Sequence, residues 1–189
     1  MTKHVVEGIL KMRPIKLEIP KELFTPSEFH SYSEHADMDD LEYAGLKFSF
    51  PDGVDWSADI TNTGGALLVT GTVEGTAETE CARCLEEAAI PITGEIEGYF
   101  LLTADAEIPD DMEEDEFERI GEDKTIEMSP LIESAILLEL PQVPLCREDC
   151  AGICPTCGKD LNEGPCDCEA GAEEISSNPF SVLKDFDFG

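Results

Sequence analysis

The sequence predicts an α+β protein with a mainly antiparallel β core, a covering helix and a small metal-stapled C-terminal segment. Three observations carry this reading. Polar and apolar residues alternate strictly over 66–100, an apolar helical face follows Ser129-Pro130, and six of the eight cysteines crowd into 146–168.

Within 66–100, Val69, Gly71, Val73, Gly75, Ala77, Thr79 and Cys81 share one face; Thr70, Thr72, Glu74, Thr76, Glu78 and Glu80 share the other. The return run sets Ile90, Ile92, Gly94, Ile96, Gly98 and Phe100 against Thr93, Glu95, Glu97 and Tyr99. A period of two is that of a half-buried strand. The short link favours an antiparallel hairpin tipped by Cys81-Ala-Arg-Cys84. Inward glycines predict a bend, a bulge or close packing against another element. Upstream, residues 14–60 read as short strands and turns. Leu17 and Ile19 alternate with polar neighbours, as do Leu46, Phe48 and Phe50 before the Pro51-Asp52-Gly53 turn. Residues 25–42 are polar and read as a loop or short helix.

Ser129 as N-cap and Pro130 at the first helical position open the helix. Leu131, Ile132, Ala135, Ile136 and Leu138 give it a broad apolar face, and Pro141 and Pro144 end it. In the tail, Phe180, Leu183 and Phe186 fit one helical stripe able to dock on the core. The expected division is a β domain over 1–128, containing an acidic loop at 104–123, and a second part over 129–189 with the helix, the cysteine-rich segment and the tail.

The charge is extreme: 43 acidic against 12 basic residues, a net of −31. Such a chain repels phosphate backbones and attracts basic partners. Residues 1–21 run the other way, with Lys3, Lys11, Arg13, Lys16 and Lys21 against two acids. Residues 104–123 hold eleven acids and Arg119, which reads as a solvated connector or a docking strip for a basic partner. The start, Met1-Thr-Lys-His-Val-Val-Glu, lacks the apolar run of a secretion signal. The expected location is the reducing cytoplasm, where eight cysteines point to metal or redox chemistry rather than structural disulfides.

Cys154-Pro-Thr-Cys157-Gly158 has the form of a zinc knuckle, in which two thiolates grip one ion while backbone amides point at the sulfurs. No histidine is near, since His4, His30 and His35 lie far upstream. Cys166 and Cys168 are close enough to complete a four-sulfur site. Cys146 and Cys150 then remain to join Cys81 and Cys84 in a second. One ion with spare thiols is the alternative, with Cys81 a small buried hydrophobe. Residues 146–168 have almost no apolar content, with Ile153, Leu161 and the preceding Leu145 as main anchors, so coordination is expected to supply their folding energy.

These residues resemble a known family. Cys81-Ala-Arg-Cys84-Leu85 is similar to the C-x-R-C-L signature of the YceD family. Leu138-Glu-Leu-Pro-Gln-Val-Pro-Leu-Cys146 resembles its later signature, and Cys150-Ala-Gly-Ile-Cys-Pro-Thr-Cys-Gly-Lys-Asp-Leu-Asn162 the cysteine-rich extension of many members. Asn178-Pro-Phe-Ser-Val-Leu183 resembles its C-terminal motif, so the resemblance runs over roughly 15–186. It implies a role in accumulating large-subunit ribosomal RNA, with no catalytic activity.

The resulting expectation is a non-catalytic ribosome-biogenesis factor that binds zinc and engages a basic ribosomal protein or a pre-ribosomal particle. Arg83, at the hairpin tip, is its candidate contact to a partner. A thiol-disulfide oxidoreductase using Cys81–Cys84 or Cys154–Cys157 is the first competitor. Redox pairs usually sit at helix N-termini, unlike either pair here. The second competitor is a zinc-ribbon module binding RNA directly, which is disfavoured because Arg147 and Lys159 are the only cations in 146–168.

Overall fold

A computed structural model describes residues 12–103, 106 and 116–168. The long alternating run becomes β6 (Ala66–Glu80) and β7 (Glu87–Leu101), following β1 (Lys16–Glu18), β2 (Phe29–Ala36), β3 (Leu41–Tyr43), β4 (Leu46–Phe48) and β5 (Val54–Asn62). After it come β8 (Glu118–Arg119), β9 (Thr125–Glu127) and the helix α1 (Ser129–Glu139). The main sheet has the order β2-β5-β6-β7-β8. All of its pairings are antiparallel except the short parallel contact of β7 with β8. Strands β1 and β9 form a second small sheet, and β3 and β4 a hairpin. The fold is therefore mostly antiparallel β with one helix among the described residues.

Strands β6 and β7 pair without interruption from Ala66 opposite Leu101 to Glu80 opposite Glu87. Their inner face buries Val69, Val73, Ala77, Ile92, Ile96 and Phe100. Strand β5 continues this face with Val54, Trp56, Ala58 and Ile60. Helix α1 lies across β7 and β6 and adds Ile132, Ala135 and Ile136 to the same core.

The inward glycines are sites of close approach. A Cβ on Gly94 would lie 2.5 Å from the Ala135 carbonyl oxygen, and one on Gly98 would press on Leu131. Gly71 and Gly75 meet β5 in the same way, against Ser57 and Val54. The sheet thus trades side chains for a helix seated close to its backbone.

Three local expectations are corrected. Residues 29–36 form a full strand on the outer edge of β5 rather than a loop or helix. Polar edge strands are hard to read because only one flank and part of one face are covered. Ser129 does not cap the helix: Met128 takes the N-cap position, with no side-chain cap bond. The Ser129 hydroxyl instead accepts from the Ile15 amide at 2.8 Å and donates to the Arg13 carbonyl at 3.3 Å, tying the segment before β1 to the start of the helix. Leu138 is 83% exposed, one position off the buried stripe. Residues 1–11, most of the acidic stretch 104–115 and the tail with Phe180, Leu183 and Phe186 lie outside the described residues.

The outer face of the four long strands of the main sheet is acidic. Asp55, Asp59, Glu74, Glu95 and Glu97 stand on it with Glu78, Glu80 and Glu87, and β2, β5, β6 and β7 contain no Lys or Arg. Three apolar side chains, Phe29, Leu68 and Tyr99, share one end of this face through the rungs Phe29–Thr61, Thr61–Leu68 and Leu68–Tyr99.

The close seating of α1 predicts that Gly94→Val destabilises the fold by about 1–3 kcal/mol, the usual cost of overpacking. Thr93→Val, one residue away on the exposed face, is expected to change stability by less than about 0.5 kcal/mol. Urea unfolding followed by Trp56 fluorescence measures both.

Candidate metal centres

Two groups of four cysteines converge. Cys81, Cys84, Cys146 and Cys150 form one quartet, and Cys154, Cys157, Cys166 and Cys168 the other; within each, all sulfurs lie within 4.8 Å of one another. Each quartet could hold one metal ion.

The first quartet is assembled by the long hairpin. With Glu80 paired to Glu87, residues 81–86 form its turn, closed by Cys81 N–H to Glu86 O at 2.8 Å and Leu85 N–H to Cys81 O at 3.0 Å. Leu85 takes a left-handed φ of 64°, and its side chain is 61% exposed. The chain leaving α1 is brought to this turn by the Ala82 amide, which donates to the Pro144 carbonyl at 2.8 Å. Cys146 and Cys150 thereby face Cys84 and Cys81, with Cys84–Cys146 at 3.7 Å and Cys81–Cys150 at 3.8 Å between sulfurs. A disulfide needs about 2.05 Å. A tetrahedral ion with metal–sulfur bonds of about 2.3 Å places its ligands about 3.8 Å apart. The spacing and the all-thiol donor set fit an ion, and all eight cysteines are free.

The second quartet is built locally. Gly158 N–H donates to Cys154 O at 2.8 Å with Gly158 at φ 73°, and Cys154 N–H donates to Lys159 O at 2.8 Å. This is the knuckle turn expected from Cys154-Pro-Thr-Cys157-Gly158. Lys159 reaches across the loop to the Pro165 carbonyl at 2.8 Å, holding the arm that brings Cys166 and Cys168 back. Leu145 and Leu161 are only half-buried and Ile153 is 36% exposed, so the segment has no core of its own.

The thiols are electrostatically unequal. Burial alone would raise Cys81, but backbone amides at Cys146, Cys84 and Arg83 together outweigh it and bring Cys81 down to about 6. Cys154 is also held down to about 6, chiefly by the amides of Cys157 and Thr156. Burial, with hydrogen bonding to Cys84, pushes Cys146 up to about 12. Cys168, hydrogen-bonded to Cys157 and partly desolvated, also reaches about 12. Each quartet thus pairs a readily ionised thiol with one that keeps its proton. A dication bound there would supply the charge needed to ionise the rest.

Arg83 is exposed, as expected for a hairpin tip, but it also holds the first quartet together. Its Nη1 donates to the Cys150 carbonyl at 2.9 Å, and its own carbonyl accepts from Ile153 N–H at 3.1 Å. Gly152, at φ 72°, lets the chain pass this residue, because a Cβ there would come within 2.9 Å of the Arg83 carbonyl oxygen. Asn162 ends the cysteine-rich motif quoted above but has no role of its own in the sequence reading. Its Nδ2 donates to the Cys150 sulfur at 3.5 Å, and that bond keeps the Cys150 thiol below its ordinary range. The local signal, Asp160 capping the short turn Leu161–Glu163, marks the turn and not its target.

Comparison with known proteins follows the same residues. The family described as "Large ribosomal RNA subunit accumulation protein YceD" matches residues 69–187, which include all eight cysteines. Uncharacterized proteins of Mycobacterium bovis and Mycobacterium tuberculosis are each 40% identical over 102 residues, 52% of this chain and 47% of theirs. One from Mycobacterium leprae is 35% identical over 95 residues, 50% of this chain and 43% of its own. The chain spans about half the length of the curated relatives it matches. No solved structure matches it significantly.

If ions hold the C-terminal segment together, chelation is expected to expose all eight thiols to alkylation and to open 146–168 to hydrogen exchange, while Trp56 fluorescence stays native. Loss of the Trp56 signal in step with the segment would instead make the β core metal-dependent.

Proposed function

We propose that this chain, which belongs to the YceD family of large ribosomal RNA subunit accumulation proteins, promotes that accumulation as a non-catalytic, zinc-stapled binding protein of the cytoplasm. Its partner on this reading is a basic ribosomal protein or a pre-ribosomal particle presenting one.

The observation that carries the partner class is the outer face of the main sheet, with eight acids on it and no Lys or Arg in its four long strands. A predominantly acidic sheet face favours rapid encounter with a basic surface and repels bare phosphate backbones. Phe29, 68% exposed and separated from Leu68 and Tyr99 by Thr61, adds an apolar anchor at the same end of that field. Direct RNA binding has less support: Arg83 already spends one donor on Cys150, and the zinc segment adds only Arg147, paired with Asp149 at 3.4 Å, and Lys159, bonded to Pro165.

Zinc is favoured for the quartets by donor chemistry. All-thiolate sites with four ligands and no open position suit structural zinc, which has no redox chemistry of its own. Sulfurs grouped in fours also argue against a dithiol oxidoreductase, which uses two. No helix among the described residues is long and apolar enough to cross a membrane.

Elemental analysis of purified protein is expected to return about two zinc per chain, falling to about one in Cys84→Ser. No zinc, with readily formed disulfides, would restore the redox reading. In cells lacking the protein, large-subunit RNA is expected to fall relative to small-subunit RNA. The wild-type gene is expected to restore it, and the triple variant Asp59→Lys, Glu95→Lys, Glu97→Lys to fail while keeping its zinc. Full rescue by that variant would remove the acidic face from the function.

A further inference from the structure

We infer that Asn162 couples the two quartets, so that an ion held by Cys154, Cys157, Cys166 and Cys168 tightens ion binding at Cys81, Cys84, Cys146 and Cys150. The inference rests on the proposal that both quartets hold ions.

Asn162 belongs to the loop of the second quartet, between Cys157 and Cys166, yet its side chain serves the first. Its Nδ2 donates to the Cys150 sulfur at 3.5 Å and to Asp160 Oδ1 at 2.7 Å, while its Oδ1 accepts from Ala151 N–H at 2.7 Å. Cys150 and Ala151 are thus gripped at a sulfur and an adjacent amide by one side chain. That side chain is in turn aimed by Asp160, whose Oδ1 also accepts from Asn162 N–H at 2.8 Å. Leu161 N–H to Gly152 O at 2.8 Å seats the turn on the same stretch.

This placement depends on the second loop being folded. The loop lacks buried apolar side chains, so coordination must hold its shape. When its ion leaves, the turn carrying Asn162 loses its support, and the Cys150 sulfur loses a donor that orients it. Three ligands of the first quartet are less affected: Cys81 and Cys84 sit on the hairpin turn, and Cys146 follows the Ala82–Pro144 bond. Cys150 is the ligand shared in consequence between the two sites. Hydrogen-bond donors behind a metal ligand are typically worth about ten- to a hundredfold in metal affinity. Linkage makes the effect reciprocal, so an ion at the first quartet must tighten the second by the same factor.

The test is a zinc-competition titration on the full-length reduced protein, with a chromophoric chelator as competitor and Trp56 fluorescence confirming an intact core. Cys154→Ser/Cys157→Ser isolates the first site, and Cys81→Ser/Cys84→Ser the second. In wild type, the product of the two stepwise binding constants is expected to exceed the product of the two isolated constants by about tenfold or more. In Asn162→Ala, which keeps every thiol, two ions should still bind and the excess should vanish. Isolated-site variants carrying Asn162→Ala supply its reference. Two ions binding independently in wild type, or an excess that persists in Asn162→Ala, overturns the coupling and leaves the two-site reading standing. Fewer than two ions in wild type overturns both.

Discussion

The fifteen-rung pairing of β6 with β7 is the constraint on which the other features depend. Its register decides which side chains enter the core, and a slip of one residue would turn Val69, Val73 and Ile96 to solvent. The same register sets the glycines beneath α1 and against β5. It also ends in a tight turn at Cys81, so the place where pairing stops is the place where two thiols are presented. Burial along the strands and ligand geometry at their tip are consequences of one ladder.

The C-terminal segment solves the opposite problem. It follows α1 through Pro141 and Pro144 and offers almost nothing to bury. Its backbone amides aim at sulfurs and its hydrogen bonds include Arg83 to Cys150, an arrangement that a bound ion would reinforce by fixing the sulfurs. The two quartets also differ in kind. One spans the chain, joining the hairpin tip to residues more than sixty positions later; the other closes within fifteen residues. An ion in the first would tie the segment to the core, and one in the second would give the segment its shape.

Electrostatics then distinguishes the surfaces. The buried face of the sheet is stabilised by packing, and the cysteine quartets would be stabilised by coordination of an ion. Neither requires the outer face to be uniformly acidic. Cross-strand like charges such as Glu80 opposite Glu87 are mildly destabilising in isolation. The proposed basic partner would give such pairs, on a surface with no cations in its long strands, a use that the packing of the fold does not.

The hairpin, the covering helix and the knuckle were legible because each is written in local spacing: a period of two, Pro130 beside an apolar stripe, and Cys-x-x-Cys-Gly. The grouping of Cys81 and Cys84 with Cys146 and Cys150 was one arrangement that the spacing left open, beside a single ion with spare thiols. Strand β2, the role of Ser129 and the reach of Asn162 were not legible. A polar edge strand carries a weak pattern, and the hydrogen bonds of a serine or asparagine have the same local signature whether they cap a helix or grip a distant segment. The sequence by itself determined which residues alternate, which turn and which can ligate. Only the tertiary structure decided which sulfurs meet and which side chain holds them, because those contacts join residues whose separation along the chain says nothing of their distance in space.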